Sequence, residues 1–324
     1  MSHFFTVPIN ENGIILDEHI QTNLSSAMAA PFDFSDVFIY SHGWWTNATR
    51  AMSEYNQFSI EFAKLVQSLG GGDVATRAKL PASFLGIGIH WPSMLSEDDR
   101  AITTFLEAAT FFTMEKRADT VGEHGGYSLI RLVLEGRRGT PAPLRIHFLG
   151  HSFGCKVVCR ALQEIVTDSA TVPIPPTVSL NAVLLQAAFD NNDLEAGDVY
   201  GGIAGGLPNL RVLVTRSDAD KALQEAYPKA QRADFFKSGG PSVALGAQGP
   251  TQIVIDQFGG RDSVSVGPGF NRASVAGSTR RLVVADLTPL HQTSTAPVDP
   301  FSGHHSDIFH PEIYQLLTGF LFKV

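Results

Sequence analysis

With 324 residues, 44% hydrophobic and 17% charged, the chain has the composition of a globular protein with a sizeable core. Acidic residues outnumber basic ones 32 to 24, for a formal charge of −8, and no dense run of Lys and Arg offers a phosphate-tracking surface, so nucleic acid is not an expected partner. No window reaches the roughly 18 consecutive apolar residues of a transmembrane segment, MSHFFTVPINENG lacks the pattern of a secretory leader, and a cytoplasmic location is the expectation.

Apolar, β-rich runs alternate with longer helical stretches, the pattern of an α/β protein with a mainly parallel central sheet flanked by helices. In chain order, strands are expected at 36–40, 83–90, 144–149, 182–187, 210–215 and 281–285. Several, such as VFIY and RVLV, are continuous apolar runs suited to burial on both faces. Helices are expected at 53–69, 101–117, 118–134, 155–166, 218–226 and 311–322, the last with Pro311 at its first position. Cys155 and Cys159 fall four apart on one of these helices, a spacing for packing rather than for a disulfide. Two stretches exceed a minimal core: 93–125, with the apolar AITTFLEAATFFTM, reads as a cap insertion or as a core or oligomer-interface helix, and 227–279, rich in Gly, Ser and Pro, as a loop-rich insertion. One domain spanning 1–324 accommodates both.

The segment RIHFLGHSFGCKVVCRAL reads as a buried strand, a tight turn and a helix. A G-x-S-x-G motif in that setting is a nucleophile elbow: Gly150 and Gly154 let strand and helix approach, and Ser152 is lifted to the helix N-terminus, where developing negative charge is favoured. Upstream, DVFIYSHGWWTN runs a strand into His42-Gly43-Trp44-Trp45. Backbone N–H groups of Trp44 and Phe153 are the expected oxyanion donors, with Gly43 allowing close approach and His42 holding the loop. A base oriented by a carboxylate must follow in the order Ser, Asp or Glu, His. Of eleven histidines, only His291, His304, His305 and His310 follow the last expected strand, and His304 and His305 sit in the loop before the final helix. For the acid, Asp218 and Asp220 follow LRVLVT; Asp220 is favoured, and Asp190 and Asp193 are rivals.

These residues resemble the α/β-hydrolase superfamily, and within it bacterial esterase- and lipase-like members. HGWWTN resembles the oxyanion loop, His90-Trp91-Pro92-Ser93 a strand ending, GHSFG the elbow, Asp220-Lys221-Ala222-Leu223 the acid motif and His305-Ser306 the terminal histidine. The resemblance runs from about residue 36 to the C-terminus, is poor over 227–279, and selects His305 over His304. It implies the α/β-hydrolase fold and ester hydrolysis through an acyl-enzyme by Ser152, Asp220 and His305, without cofactor or metal. The implied substrate is a small-molecule or lipid-like ester, with Gly43, Trp45 and Trp91 expected at its binding site and aromatic side chains as walls. Thioesterase, amidase and acyltransferase activities are alternatives on the same residues, and a non-catalytic binding protein retaining the fold is an alternative of another class. A metal-dependent hydrolase built on His304, His305, Asp307 and His310 lacks an H-E-x-x-H spacing. Gly86-x-Gly88 lacks the third glycine of a dinucleotide loop. Oligomeric state is left open.

Overall fold

A computed structural model describes residues 2–28, 34–94, 104–137, 141–232, 243–295 and 303–324. Eight strands form one sheet: β1 (Ser2–Pro8), β2 (Asp36–Ser41), β3 (Phe84–His90), β4 (Leu144–His151), β5 (Val178–Leu185), β6 (Leu210–Arg216), β7 (Arg261–Ser265) and β8 (Leu282–Asp286). Their order is β1-β3-β2-β4-β5-β6-β8-β7, and every neighbouring pair is parallel. The six expected strands are all present, shifted by a few residues at their ends.

Parallel strands must bury both faces, because the crossover helices lie on both. Successive side chains point to opposite faces, and the two halves of the core divide accordingly. Val37 and Ile39, Ile146 and Phe148, and Val212 and Val214 face one apolar cluster, shared with the helices Gly154–Thr167 and Tyr127–Gly136. Phe38 and Tyr40, Leu149 and Leu213 face the other, closed by the helices Ala48–Gly70 and Pro311–Phe322. This is the α/β-hydrolase fold: a parallel sheet wrapped by helices, with a sharp strand–turn–helix after a central strand.

At three places the structure departs from expectation or selects among the alternatives, for physical reasons. The first is at the sheet edges. β1 pairs with β3 over Ser2–Pro8, and β7 with β8 over Arg261–Ser265, inside the stretch expected to be loops. β7 alternates exposed and half-buried residues, so RDSVS carries none of the continuous apolar signal of a central strand. The second concerns the stretch 93–125. Its residues 95–103 lie outside the described residues. From Phe111 onward, however, Phe111, Met114, Ala118 and Val121 are buried in the main core. The helix Thr104–Val121 continues through a π-helical turn, Gly122–Gly126, into the helix Tyr127–Gly136. Glycine is needed there, since a Cβ on Gly122 would lie 2.6 Å from the carbonyl oxygen of Val157. The described part is thus a layer of the core rather than a separate cap. Finally, the helix expected at 218–226 is a π-helical turn, Ala222–Ala226, followed by the helix Tyr227–Arg232.

Candidate active site

The elbow is built by contacts that leave no room for side chains. A Cβ on Gly150 would meet the Cys155 backbone at 2.6 Å, and one on Gly154 would lie 2.1 Å from the Ser41 carbonyl oxygen. Ser152 between them adopts φ +55, a left-handed conformation that costs a non-glycine residue about 1–2 kcal/mol. Hydrogen bonds hold it there. Its N–H donates to the Leu185 carbonyl at 3.1 Å, and its own carbonyl accepts from Cys155 and Ala188 at 3.0 and 3.3 Å. Trp45 (φ +57) and Gln186 (φ +45) are also left-handed. Three of the four described non-glycine residues with positive φ therefore surround one point, and such outliers concentrate at functional sites.

The loop after β2 lies against this turn. A Cβ on Gly43 would fall 2.8 Å from that of Ser152, so only glycine permits the approach. The His42 ring sets the loop's path: Nδ1–H donates to the Gly43 carbonyl at 2.8 Å, while Nε2 accepts the Trp91 N–H at 3.3 Å. Burial lowers the His42 pKa to about 3, which keeps the ring neutral and lets one nitrogen donate and the other accept. A peptide's C=O and N–H point in opposite directions, so drawing the Gly43 carbonyl toward His42 turns the Trp44 N–H away from it. Neither Trp44 nor Phe153 donates its N–H to an acceptor among the described residues.

Trp91 corrects an expectation. It is fully buried and does not line the site. Its ring stacks on His42 (5.5 Å between centroids, 2° between planes), and its Nε1–H donates to the His42 carbonyl at 3.1 Å. Ser93 continues the brace, accepting the Trp45 N–H on its carbonyl at 3.2 Å and the Thr46 N–H on its hydroxyl at 3.0 Å. The Trp-Pro-Ser segment thus supports the loop from beneath. Trp44, Phe153 and Phe111 form an aromatic cluster beside the elbow, with ring centroids 5.1–5.9 Å apart. Tyr227 packs on Phe111 at 5.5 Å, and Trp45, 43% exposed, on Trp44 at 4.9 Å.

Both doubled candidates separate cleanly. Asp220 is fully buried beyond the end of β6, and its Oδ2 accepts from His305 Nδ1–H at 2.7 Å. Its Oδ1 accepts the Leu223 N–H at 3.1 Å, so the same carboxylate caps the following turn and orients a histidine. Asp218 points outward, with its side chain 61% exposed and paired to Arg216. His304 stacks on His291 and faces Asp307 at 3.3 Å, away from Asp220. Asp190 accepts from Tyr227 Oη–H at 2.6 Å. Asp307 also meets His310 at 2.9 Å, but among the described residues no three His, Cys, Asp or Glu side chains are arranged to hold a metal ion.

His305 gives its Nδ1–H to Asp220, and its Nε2 has no hydrogen-bond partner among the described residues. No hydrogen bond joins it to Ser152 Oγ in the described structure; such contacts commonly tighten only when substrate is bound. Two residues that sequence reasoning did not single out complete the surroundings. His151 Nε2–H donates to the His305 carbonyl at 2.8 Å, and burial lowers its pKa to about 3. Gln186 Nε2 donates to Asp220 Oδ2 at 2.9 Å and to the His304 carbonyl at 3.2 Å. The only signal of Gln186 in the sequence is a lone amide closing the apolar run AVLL.

No protein-family model and no curated protein matches this chain. Among solved structures, one match is the LpqC poly(3-hydroxybutyrate) depolymerase from Bordetella parapertussis. It is 16% identical over 79% of this chain and 73% of that chain, with a TM-score of 0.34.

Proposed function

We propose that this protein is a serine hydrolase that cleaves carboxylic esters through an acyl-enzyme formed on Ser152. The observation that carries the reading is the hydrogen bond between buried Asp220 and His305, 2.7 Å long, on a loop held to the Ser152 elbow through His151. His305 Nε2 takes the Ser152 proton as Oγ attacks the ester carbonyl, and Asp220 stabilises the imidazolium that forms. The oxyanion receives the Trp44 and Phe153 N–H groups at the N-terminus of the Gly154–Thr167 helix. His305 then protonates the leaving alcohol, and water repeats the sequence to release the acid. Trp44, Trp45, Phe111 and Phe153 favour an uncharged, apolar acyl group at the reacting centre, with Gly43 shaping the approach. No helix among the described residues is long and apolar enough to cross a membrane.

The test is labelling with a fluorophosphonate, followed by turnover of p-nitrophenyl esters, thioesters and amides of graded chain length. Labelling of the wild type but not of Ser152→Ala is expected, with esters turned over fastest. Equal labelling of both proteins sinks the reading. Fast thioester or amide turnover with inert esters keeps the nucleophile and replaces the substrate class.

A further inference from the structure

The loop carrying His305 lies between the helices Thr288–Thr293 and Pro311–Phe322 and has no regular secondary structure of its own around the histidine. One bond from Nδ1 to Asp220 fixes one ring atom, but leaves the ring free to swing about that bond and the loop free to lift. The aim of Nε2 therefore needs the backbone held as well. Two consecutive carbonyls of the loop are held by side chains from other elements. The His304 carbonyl accepts from Gln186, at the end of β5, and the His305 carbonyl from His151, at the end of β4. We propose that Gln186 and His151 act as a two-point clamp, positioning residues that set the catalytic histidine over the elbow. The inference rests on the serine-hydrolase reading.

Gln186 bears the marks of a residue kept for a task. It is fully buried with φ +45, and its Oε1 has no hydrogen-bond partner among the described residues. Each is unfavourable, and a residue serving packing alone gains nothing from either. Both follow from one requirement. The Nε2 group faces two acceptors, Asp220 Oδ2 and the His304 carbonyl, which use both amide hydrogens and force Oε1 to the opposite side. One amide thereby ties the acid to the loop of the base. His151 suits the second point because it donates while uncharged. Its ring lies 5.0 Å from that of His305, and a cation there would oppose the positive charge His305 acquires when it takes the serine proton.

The experiment compares Gln186→Met, which keeps length and volume but has no amide hydrogen, with His151→Leu and His151→Gln, assayed on the best p-nitrophenyl ester. In Gln186→Met and His151→Leu, kcat is expected to fall about 10- to 100-fold with KM changed less than about threefold. His151→Gln, which retains a terminal N–H donor, is expected to recover most of the loss. In Gln186→Met the acidic limb of the pH–rate profile should also move to higher pH. With one donor fewer, the Asp220 carboxylate attracts the proton on His305 more strongly, an effect a packing role would not produce. Either variant folded with wild-type kcat and an unmoved acidic limb overturns the clamp. If His151→Leu does not fold, Gln186→Met decides alone. Ser152→Ala separates the two ideas: its inactivity beside fully active clamp variants removes only the clamp, whereas equal fluorophosphonate labelling of wild type and Ser152→Ala removes the hydrolase reading and the clamp with it.

Discussion

Among the described aspartate–histidine pairs, one lies along β4 and one beyond its C-terminal end; they are of nearly the same length, and only the second leaves an imidazole nitrogen without a partner. Midway along the strand, His147 Nε2–H donates to Asp36 at 2.8 Å, and both side chains are fully buried. Its Nδ1 accepts from Asn181 at 3.2 Å, and Arg145 binds both oxygens of the same carboxylate at 2.7 and 2.8 Å. Both ring nitrogens of His147 and both carboxylate oxygens of Asp36 are occupied. Beyond the strand's C-terminal end, Asp220 and His305 are joined at 2.7 Å, but His305 keeps one nitrogen unpartnered among the described residues and its side chain 12% exposed. Proximity of an acid and an imidazole is thus common to both; an unpartnered nitrogen and access separate a candidate base from a brace.

The largest effect that tests this contrast is at the open pair. Replacing His305 with Ala, or Asp220 with Asn, should lower kcat/KM by about a thousandfold or more, read as p-nitrophenyl ester turnover with the secondary-structure signal unchanged. His304→Ala should lose less than about tenfold in the same assay, because its ring belongs to His291 and Asp307. A larger loss in His304→Ala than in His305→Ala would reverse the assignment of the base.

The closed pair should answer in stability instead. Asp36→Ala leaves Arg145 and His147 without their shared partner and should cost about 3 kcal/mol in denaturant unfolding, while the folded protein keeps the proposed ester turnover. Loss of kcat without loss of stability would break the contrast.

A smaller effect is expected from pH. Burial lowers the pKa of His147 below the usual 6.5, and those of His42 and His151 to about 3. All three bind a proton less readily when folded than once unfolded. Their contribution is therefore present above pH 6.5 and declines as pH falls toward the folded values, by up to about 1.4 kcal/mol per pH unit for each. At Asp36, burial acts to raise the pKa, but its bonds to His147 and Arg145 outweigh this and lower it, so its own contribution declines only as pH falls below about 3.8. Unfolding midpoints should drop from pH 7 to pH 5, and drop less steeply in His151→Gln. An unchanged slope in that variant would mean that His151 is not held neutral.

Much of this was legible in the chain itself. Continuous apolar runs such as VFIY and RVLV announce strands buried on both faces, because only a doubly covered sheet can hide them. GHSFG announces a turn too tight for side chains at Gly150 and Gly154, and the distances in the folded turn agree. The edge strands β1 and β7 were not legible, since a strand open on one side needs no continuous apolar pattern. The Trp-Pro-Ser segment was legible as a marker but not in its direction: the same tryptophan could face substrate or brace a loop, and only its stacking on His42 distinguishes the two.

The order of serine, acid and histidine along the chain, and the residue types at each place, are properties of the sequence by itself, because local turns and strand periodicity depend on neighbours a few residues away. The choice between Asp218 and Asp220 had only a short motif behind it, and that between His304 and His305 only a family resemblance; the pairing itself is tertiary. Adjacent residues share the same local signals, and what separates them is a contact made across 85 residues of chain between Asp220 and His305. The supporting contacts from Gln186 and His151 are longer-range still, joining β5 and β4 to a loop 118 and 154 residues away, which no local pattern could encode.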